Sequence, residues 1–420
     1  MNTSLAAGAD ASTEEKEILD GLFTFIERKI MPIQESLHEY FANSRKYFDE
    51  AGNEAEEVVE ARKRTRQESA KAGYYNLFTS EEFGGAGMSN RFYMRVTIEV
   101  SRRYGPGMHR EHLATEVIPN VFMGPGPIWS KASPELQAHI IPKLLAGDVR
   151  GAFGLSEPDA GTDNFAMRTT ARKDGDSWVI NGSKQWTSWA HESDYLLVFA
   201  VTDRERAAKR EGGITCFYVP TDTPGYALVS SLHLFGDPGG RDGIESFDDV
   251  VVPDTWRIGP EGEGMRMAFL TLNTTRLWLA ARLLGEAFWA FDKSVEYAKT
   301  RRTFGKTIGE HQSIQNLLAD MAVDLYSTQT MVMDCATRFD NGADVRTETA
   351  LVKYHAANAT GRVFDRAMQL HGGIGFANET YLFDGWKHSR MARVTEGSDQ
   401  MMQRTIAAQA LKKGLPNWCE

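Results

Sequence analysis

The stretch RVTEGSDQ, Arg393 to Gln400, sets one carboxylate, Glu396, directly before a glycine and two residues before the hydroxyl of Ser398. A glutamate so placed is a candidate proton acceptor or donor. Glu-Gly-Ser is also ordinary turn or helix-start composition, because glycine relieves strain and serine satisfies orphan N–H groups. Taken alone, the stretch favours that structural reading. Thiol and metal chemistry have less support: Cys216, Cys335 and Cys419 are far apart and odd in number, with no CxxC pair and no histidine spacing suited to zinc. No metal is expected, and a reducing compartment fits the cysteines best.

The 420 residues, 42% hydrophobic and 25% charged, suit a globular chain of two or three domains or one large multilayered unit. A net charge of -10 argues against a nucleic-acid partner, which needs clustered Lys and Arg. The most basic run, ARKRTR from Ala61 to Arg66, follows Glu54, Glu56 and Glu57 and reads as a solvated helix face. The opening MNTSLAAGADASTEEKE has neither an apolar signal core nor the Arg-rich, acid-poor make-up of a transit peptide. LWLAARLLGEAFWAF is interrupted by Arg282 and Glu286, so no membrane span is expected. These features point to a cytoplasmic protein.

The elements that must position any site fall into three zones. Residues 1–149 read as helical, with Gly- and Pro-rich punctuation at EEFGGAGMS and VFMGPGPIW. Residues 150–261 change period and read as an antiparallel β domain: a hairpin at Asp174-Gly175, a second turn at Asn181-Gly182, then the strands DYLLVFAVT, GITCFYVP, YALVSSLHLF and ESFDDVVVP. Residues 262–420 return to long helices. Leu277, Ala281, Leu284, Phe288, Phe291, Val295 and Ala298 repeat on one face, as do Leu318, Met321, Leu325, Thr328, Val332 and Cys335. A third helix, from about Glu348 to Leu370, stops at HGGIG. The fold class is α+β, with a helical N-terminal domain, a central β domain and a four-helix-bundle-like C-terminal domain.

Five motifs in this order, GAFGLSEPDAGTD (Gly151 to Asp163), GSKQWTS (Gly182 to Ser188), RRTFGKTIGEHQ (Arg301 to Gln312), QLHGGIG (Gln369 to Gly375) and RVTEGSDQ, together resemble the acyl-CoA dehydrogenase family. These are FAD enzymes that introduce an α,β double bond into acyl-CoA thioesters. The resemblance implies that Phe153, Leu155, Ser156 and Gly161 run along the flavin pyrimidine and that Thr162 touches substrate. It implies that Trp186 packs on the isoalloxazine, with Thr187 beside it and Ser188 near N5. Arg301, Thr303 and Gln312 would hold the pyrophosphate of a neighbouring subunit's FAD, a guanidinium fork being suited to phosphate. Gln369, Gly372 and Gly373 would serve the adenosine side, and Ser398 and Gln400 would also hold FAD.

By the same resemblance Glu396 is the base that removes the α-proton, and its own N–H helps to stabilise the enolate. Gly397 lets the thioester lie close, Arg276 braces the catalytic segment, and Asn273 sits near CoA. Hydride passes from the β-carbon to flavin N5, an electron-transferring flavoprotein takes the electrons, and the enzyme is a homotetramer built as a dimer of dimers. Asp159 stands where the family has glycine, and Trp189-Ala190 where it has Asn-Gly. An oxidase or monooxygenase of the same fold, and a catalytically silent FAD- or CoA-binding scaffold, stay open as alternatives.

Overall fold

The computed structural model describes residues 12–106, 112–120 and 124–418. Cys419 and the 121–123 part of the VFMGPGPIW punctuation lie outside the described residues. The longer N-terminal helices are α1 (Thr13–Phe25), α2 (Glu56–Lys71), α3 (Asn90–Tyr104) and α4 (Pro134–Leu145). Three of their starts are written in the sequence. Ser12, Ser89 and Ser133 accept from the amides of Glu15, Phe92 and Leu136, each at 3.1 Å, and so satisfy one of the donors a first turn leaves unpaired.

The ARKRTR run is not the solvated face that its charge suggested. Val58, Ala61, Arg62, Thr65, Arg66 and Ser69 of α2 are buried together, because positions three and four apart share one side of a helix. Carboxylates from distant segments meet the two arginines there. Arg62 Nη2 lies 3.1 Å from Glu116 Oε1 and Arg62 Nε 3.5 Å from Glu192 Oε1. Arg66 Nη1 lies 3.3 Å from Glu116 Oε2, and Arg150 Nη1 lies 2.5 Å from Glu192 Oε1. Burial opposes the charged form of Glu54, but Arg62 and then Arg241 outweigh it and hold that carboxyl well below its usual range. A depressed folded pKa stabilises the fold above the unfolded value of about 4.3, and the contribution is lost as pH falls toward the folded value. Arg62→Met removes the cation that Glu54, Glu116 and Glu192 share, leaving this buried cluster with an excess of negative charge. Urea denaturation at neutral pH should show a loss of about 3–5 kcal/mol, and the loss should shrink in acid as the carboxylates take up protons.

The strands of the main sheet are β1 (Gly151–Gly154), β2 (Thr170–Asp174), β3 (Ser177–Ser188), β4 (Tyr195–Val201), β5 (Ile214–Pro220), β6 (Tyr226–Ser231), β7 (Asp242–Pro253) and β8 (Arg257–Ile258). They lie in the order β6-β7-β3-β2-β4-β5-β8, with β1 beside β4. The aromatic and β-branched residues of β4 are buried along its whole length. The Asp174-Gly175 hairpin is present, with Asp174 paired to Ser177 and Gly175 at φ 60°.

Asn181-Gly182 is not a turn. β3 runs straight through it, with a register shift against β7 between Ile180 and Gly182. A Cβ on Gly182 would sit 2.4 Å from Thr169 Oγ1, so glycine here serves a bulge and a close approach. Most pairings are antiparallel, as expected, but β1 runs parallel to β4, and β2 meets β4 in parallel at Thr170 and Val201. The chain passes through β2 and β3 between β1 and β4, and through β3 between β2 and β4, so each parallel pair is joined by the long crossover such pairing needs.

The C-terminal helices are α5 (Gly264–Thr300), α6 (Gln312–Asp340), α7 (Arg346–His371), α8 (Leu382–Ala392) and α9 (Asp399–Lys413). Leu277, Ala281 and Leu284 of α5 share one core with Met321 and Leu325 of α6, Val363 and Phe364 of α7, and Tyr93 and Ile98 of α3. Gly285 allows the closest approach of α5 to α3, since a Cβ there would lie 2.4 Å from the Ile98 carbonyl oxygen. Helical ends thus flank a central sheet, the α+β arrangement expected. Among the described residues no helix is long and apolar enough to cross a membrane.

Candidate active site

Between α8 and α9 the chain makes a turn in which Glu396 takes φ 54° and Gly397 takes φ 96°. A glutamate in the left-handed region is uncommon and strained, so its surroundings must hold it there. Arg276 of α5 and Lys353 of α7 do so. Arg276 Nε donates to the Glu396 carbonyl at 2.9 Å, and Lys353 Nζ donates to the Gly397 carbonyl at 2.5 Å. The Asp399 amide closes the turn onto the Arg393 carbonyl at 2.9 Å, while its carboxylate accepts from Arg393 Nε at 2.8 Å and Asn358 Nδ2 at 3.1 Å. Gly397 is favoured by its φ, a backbone conformation that side-chain-bearing residues rarely adopt. Ser398 stands at the N-cap of α9, yet its hydroxyl makes no capping bond. The ordinary helix-start reading explains where the turn lies, but not why two cations grip its carbonyls.

Glu396 keeps part of its surface open, although protein atoms crowd it enough for burial to raise its carboxyl pKa. Arg276 and then Lys353 pull the pKa back down. Burial also drives the Lys353 ammonium down to about 8, against the attraction of Asp399 and Glu396. Among the described residues the Glu396 amide donates to no group, which leaves a backbone donor beside the carboxylate. A carboxylate raised above its usual range on a braced turn can take a proton from a weak carbon acid. Nearby on α5, Asn273 Oδ1 accepts from Thr349 Oγ1 at 3.4 Å. Sequence reasoning did not single out Lys353; its only signal is a lone cation within the small and apolar run ALVKYHAANA.

A second group gathers around β1 and β3. Phe153 packs inward on Phe199 with ring centres 4.7 Å apart. The Leu155 carbonyl accepts from Lys184 Nζ at 3.1 Å, and the Ser156 carbonyl from the Gln185 amide at 3.0 Å. Trp186, at φ 67°, leaves 53% of its surface exposed, a large apolar wall awaiting cover. Thr187 turns the other way, buried and donating to Glu245 Oε2 at 2.9 Å, so its hydroxyl is committed inside the sheet. Ser188 Oγ donates to Asp242 Oδ1 at 2.5 Å. Gly161 and Thr162 are exposed.

A third group stands apart. Arg301 follows the last turn of α5, Thr303 Oγ1 lies 3.3 Å from His311 Nε2, and Gln312 opens α6. Gln369, Gly372 and Gly373 mark the end of α7. The Tyr297 and His371 rings stack at 4.5 Å, and Ala298, Ile308 and Leu370 form a small shared core, which ties these ends together. Among the described residues the Arg301 side chain has no carboxylate partner, and Gly372 and Gly373 have open space where a Cβ would stand. An unpaired guanidinium beside bare backbone fits a phosphate-bearing ligand. Phe304 and Phe376, next to it, are 97% and 75% exposed. Arg276 and Arg301 are about 37 Å apart along α5, at 1.5 Å per residue, so no one molecule the size of FAD reaches both from a single chain.

Residues 12–148, 152–249 and 262–411 match, in order, the N-terminal, middle and C-terminal domains described for acyl-CoA dehydrogenase. The chain is 34% identical over 340 residues to the short-chain specific acyl-CoA dehydrogenase, mitochondrial, of Homo sapiens, which covers 81% of this chain and 80% of that protein. It is 30% identical over 361 residues to the caffeyl-CoA reductase-Etf complex subunit CarC of Acetobacterium woodii, covering 86% and 93% respectively. The solved structure of butyryl-CoA dehydrogenase from Megasphaera elsdenii superposes with a TM-score of 0.81 at 26% identity, over 96% of this chain and 99% of that one.

Proposed function

The chain belongs to the acyl-CoA dehydrogenase family, and from that premise we propose that it dehydrogenates an acyl-CoA thioester with FAD, Glu396 removing the α-proton. The observation that carries this reading is the clamped turn, which holds a carboxylate raised by burial while Arg276 and Lys353 fix its backbone. An α-C–H beside a thioester is a weak acid, and an ordinary glutamate, with a pKa of about 4.3, is a poor match for it. Raising the carboxyl narrows that gap, and the unpaired Glu396 amide can donate to the thioester oxygen as negative charge grows there. FAD, when bound, supplies the acceptor for the hydride that leaves the β-carbon. The same residues serve either direction of the reaction, in keeping with a relative named as a reductase.

In this reading Leu155, Ser156, Trp186 and Ser188 would line the ring system, with Ser398 and Gln400 on the side of the clamped turn. Arg301, Thr303, Gln312, Gln369, Gly372 and Gly373 would hold the pyrophosphate and adenosine of a neighbouring chain's FAD, a reading supported by the separation of about 37 Å along α5 between Arg301 and the Arg276 that braces the catalytic turn. The exposed Phe304 and Phe376 are surface that such an assembly would cover, and a homotetramer is the assembly proposed. An electron-transferring flavoprotein is proposed as electron acceptor, supported by the relative that is itself part of an Etf complex. The buried thiols of Cys216 and Cys335 agree with a reducing, cytoplasmic setting.

Glu396 must be ionised to act, so flavin bleaching by substrate should slow as pH falls through its raised pKa. Arg276 lowers that pKa, and Arg276→Met should therefore move the acid limb to higher pH. The measurement is anaerobic flavin bleaching of the FAD-loaded protein against pH. A panel of straight, branched and aromatic acyl-CoAs, none of which bleaches the flavin at any pH, would remove the reading.

A further inference from the structure

We propose that the acyl chain this protein takes carries a hydrogen-bond-accepting oxygen toward its far end, received by a donor-lined cavity where the three zones of the chain meet. This rests on the acyl-CoA reading above. The cavity, with a free volume of about 10 Å³, is lined by Arg66 and Tyr75 from the N-terminal zone, Trp189 from the end of β3, and Trp278 and Arg282 from α5. That volume admits one compact group, on the scale of a single water.

Among the described residues its wall holds three buried polar atoms without a partner: Tyr75 Oη, Trp189 Nε1 and Arg66 Nε. Indole and guanidinium nitrogens donate only, and burial lifts the Tyr75 phenol to about 12, so it keeps its proton. Glu116 also lines the cavity, but Arg62, Arg66 and Arg150 surround its carboxylate. A buried donor left unpaired is costly, and three around one small cavity match a ligand atom that brings lone pairs. A saturated hydrocarbon end would satisfy none of them.

The cavity also borders segments that the acyl-CoA reading places at the site. Trp189 directly follows Ser188, and Trp278 and Arg282 stand one turn apart on α5, the guanidinium 5.7 Å from the indole centre. Both come within about 9 Å, along the helix axis, of the Arg276 that braces Glu396. Trp189 is this chain's own choice at a position where the family pattern carries asparagine.

The test uses the FAD-loaded Glu396→Gln protein, which should bind thioesters without turning them over. Calorimetric titration compares straight-chain acyl-CoAs of graded length with counterparts bearing a ketone one carbon from the chain end. At one length the ketone should bind about 10-fold tighter. Adding Tyr75→Phe should remove much of that preference while leaving hydrocarbon binding and thermal stability unchanged, because deleting an unpaired hydroxyl costs the fold little. Equal or weaker binding of the ketone at every length overturns the proposal. So does a preference that Tyr75→Phe leaves intact, or no binding by either series. Failure of the dehydrogenase reading would look different: thioesters would bind, with or without the preference, yet none would bleach the flavin of the parent enzyme.

Discussion

Replacing Glu396 with glutamine slows flavin reduction by an acyl-CoA ~100- to 10,000-fold, while FAD and thioester still bind. Glutamine keeps the size and hydrogen-bonding shape of the side chain. The grip of Arg276 and Lys353 falls on the carbonyls of residues 396 and 397, which the substitution does not alter, so the turn keeps its shape. Basicity alone is removed. Were Glu396 only a solvated residue ahead of α9, the change would stay within about 0.5 kcal/mol of silent. Anaerobic stopped-flow bleaching with a substrate that reduces the parent enzyme separates the two cases.

Arg301→Ala weakens FAD binding about 10- to 100-fold, the equivalent of losing one or two hydrogen bonds to a charged group, and loosens the assembly with it. The fold should not suffer. The side chain is exposed and has no carboxylate partner among the described residues, and the backbone bonds from the Arg301 amide to Tyr297 and from the Ile308 amide to Arg301 remain. Flavin absorbance after gel filtration, read beside sedimentation, checks both effects at once. A stable monomer that keeps all its FAD would contradict the cofactor site shared between chains.

Glu396 and Gly397 stand out in the sequence only through the five ordered motifs that resemble the family, since RVTEGSDQ alone reads as an ordinary turn. Lys353 does not. A lone lysine on a helix is ordinarily solvated, and only the packing of α7 against the turn buries it and lowers its pKa. The ARKRTR run misleads for the same reason: local charge predicts solvation, whereas Glu116 and Glu192, far along the chain, decide the outcome. Local chemistry suffices at Asp174-Gly175, where two strands and their turn are adjacent in sequence. It fails at Asn181-Gly182, where pairing with β7 carries the strand past a turn signal. The donor-lined cavity is assembled from residues as distant as Arg66 and Arg282, and no periodicity or motif brings those together. Thr115, Glu116, Ile118, Pro119 and Asn120, which also line it, belong to no readable motif.

The claim that Glu396 moves the α-proton is tested most directly by solvent exchange. FAD-loaded protein is held without oxygen in deuterated buffer with an acyl-CoA that it binds, and deuterium at C2 of the thioester is followed by mass spectrometry. The account predicts exchange with the parent enzyme and, with Glu396→Gln, exchange slowed to the same degree as flavin reduction. Deuterium entering C2 at the parent rate in the glutamine variant would contradict it.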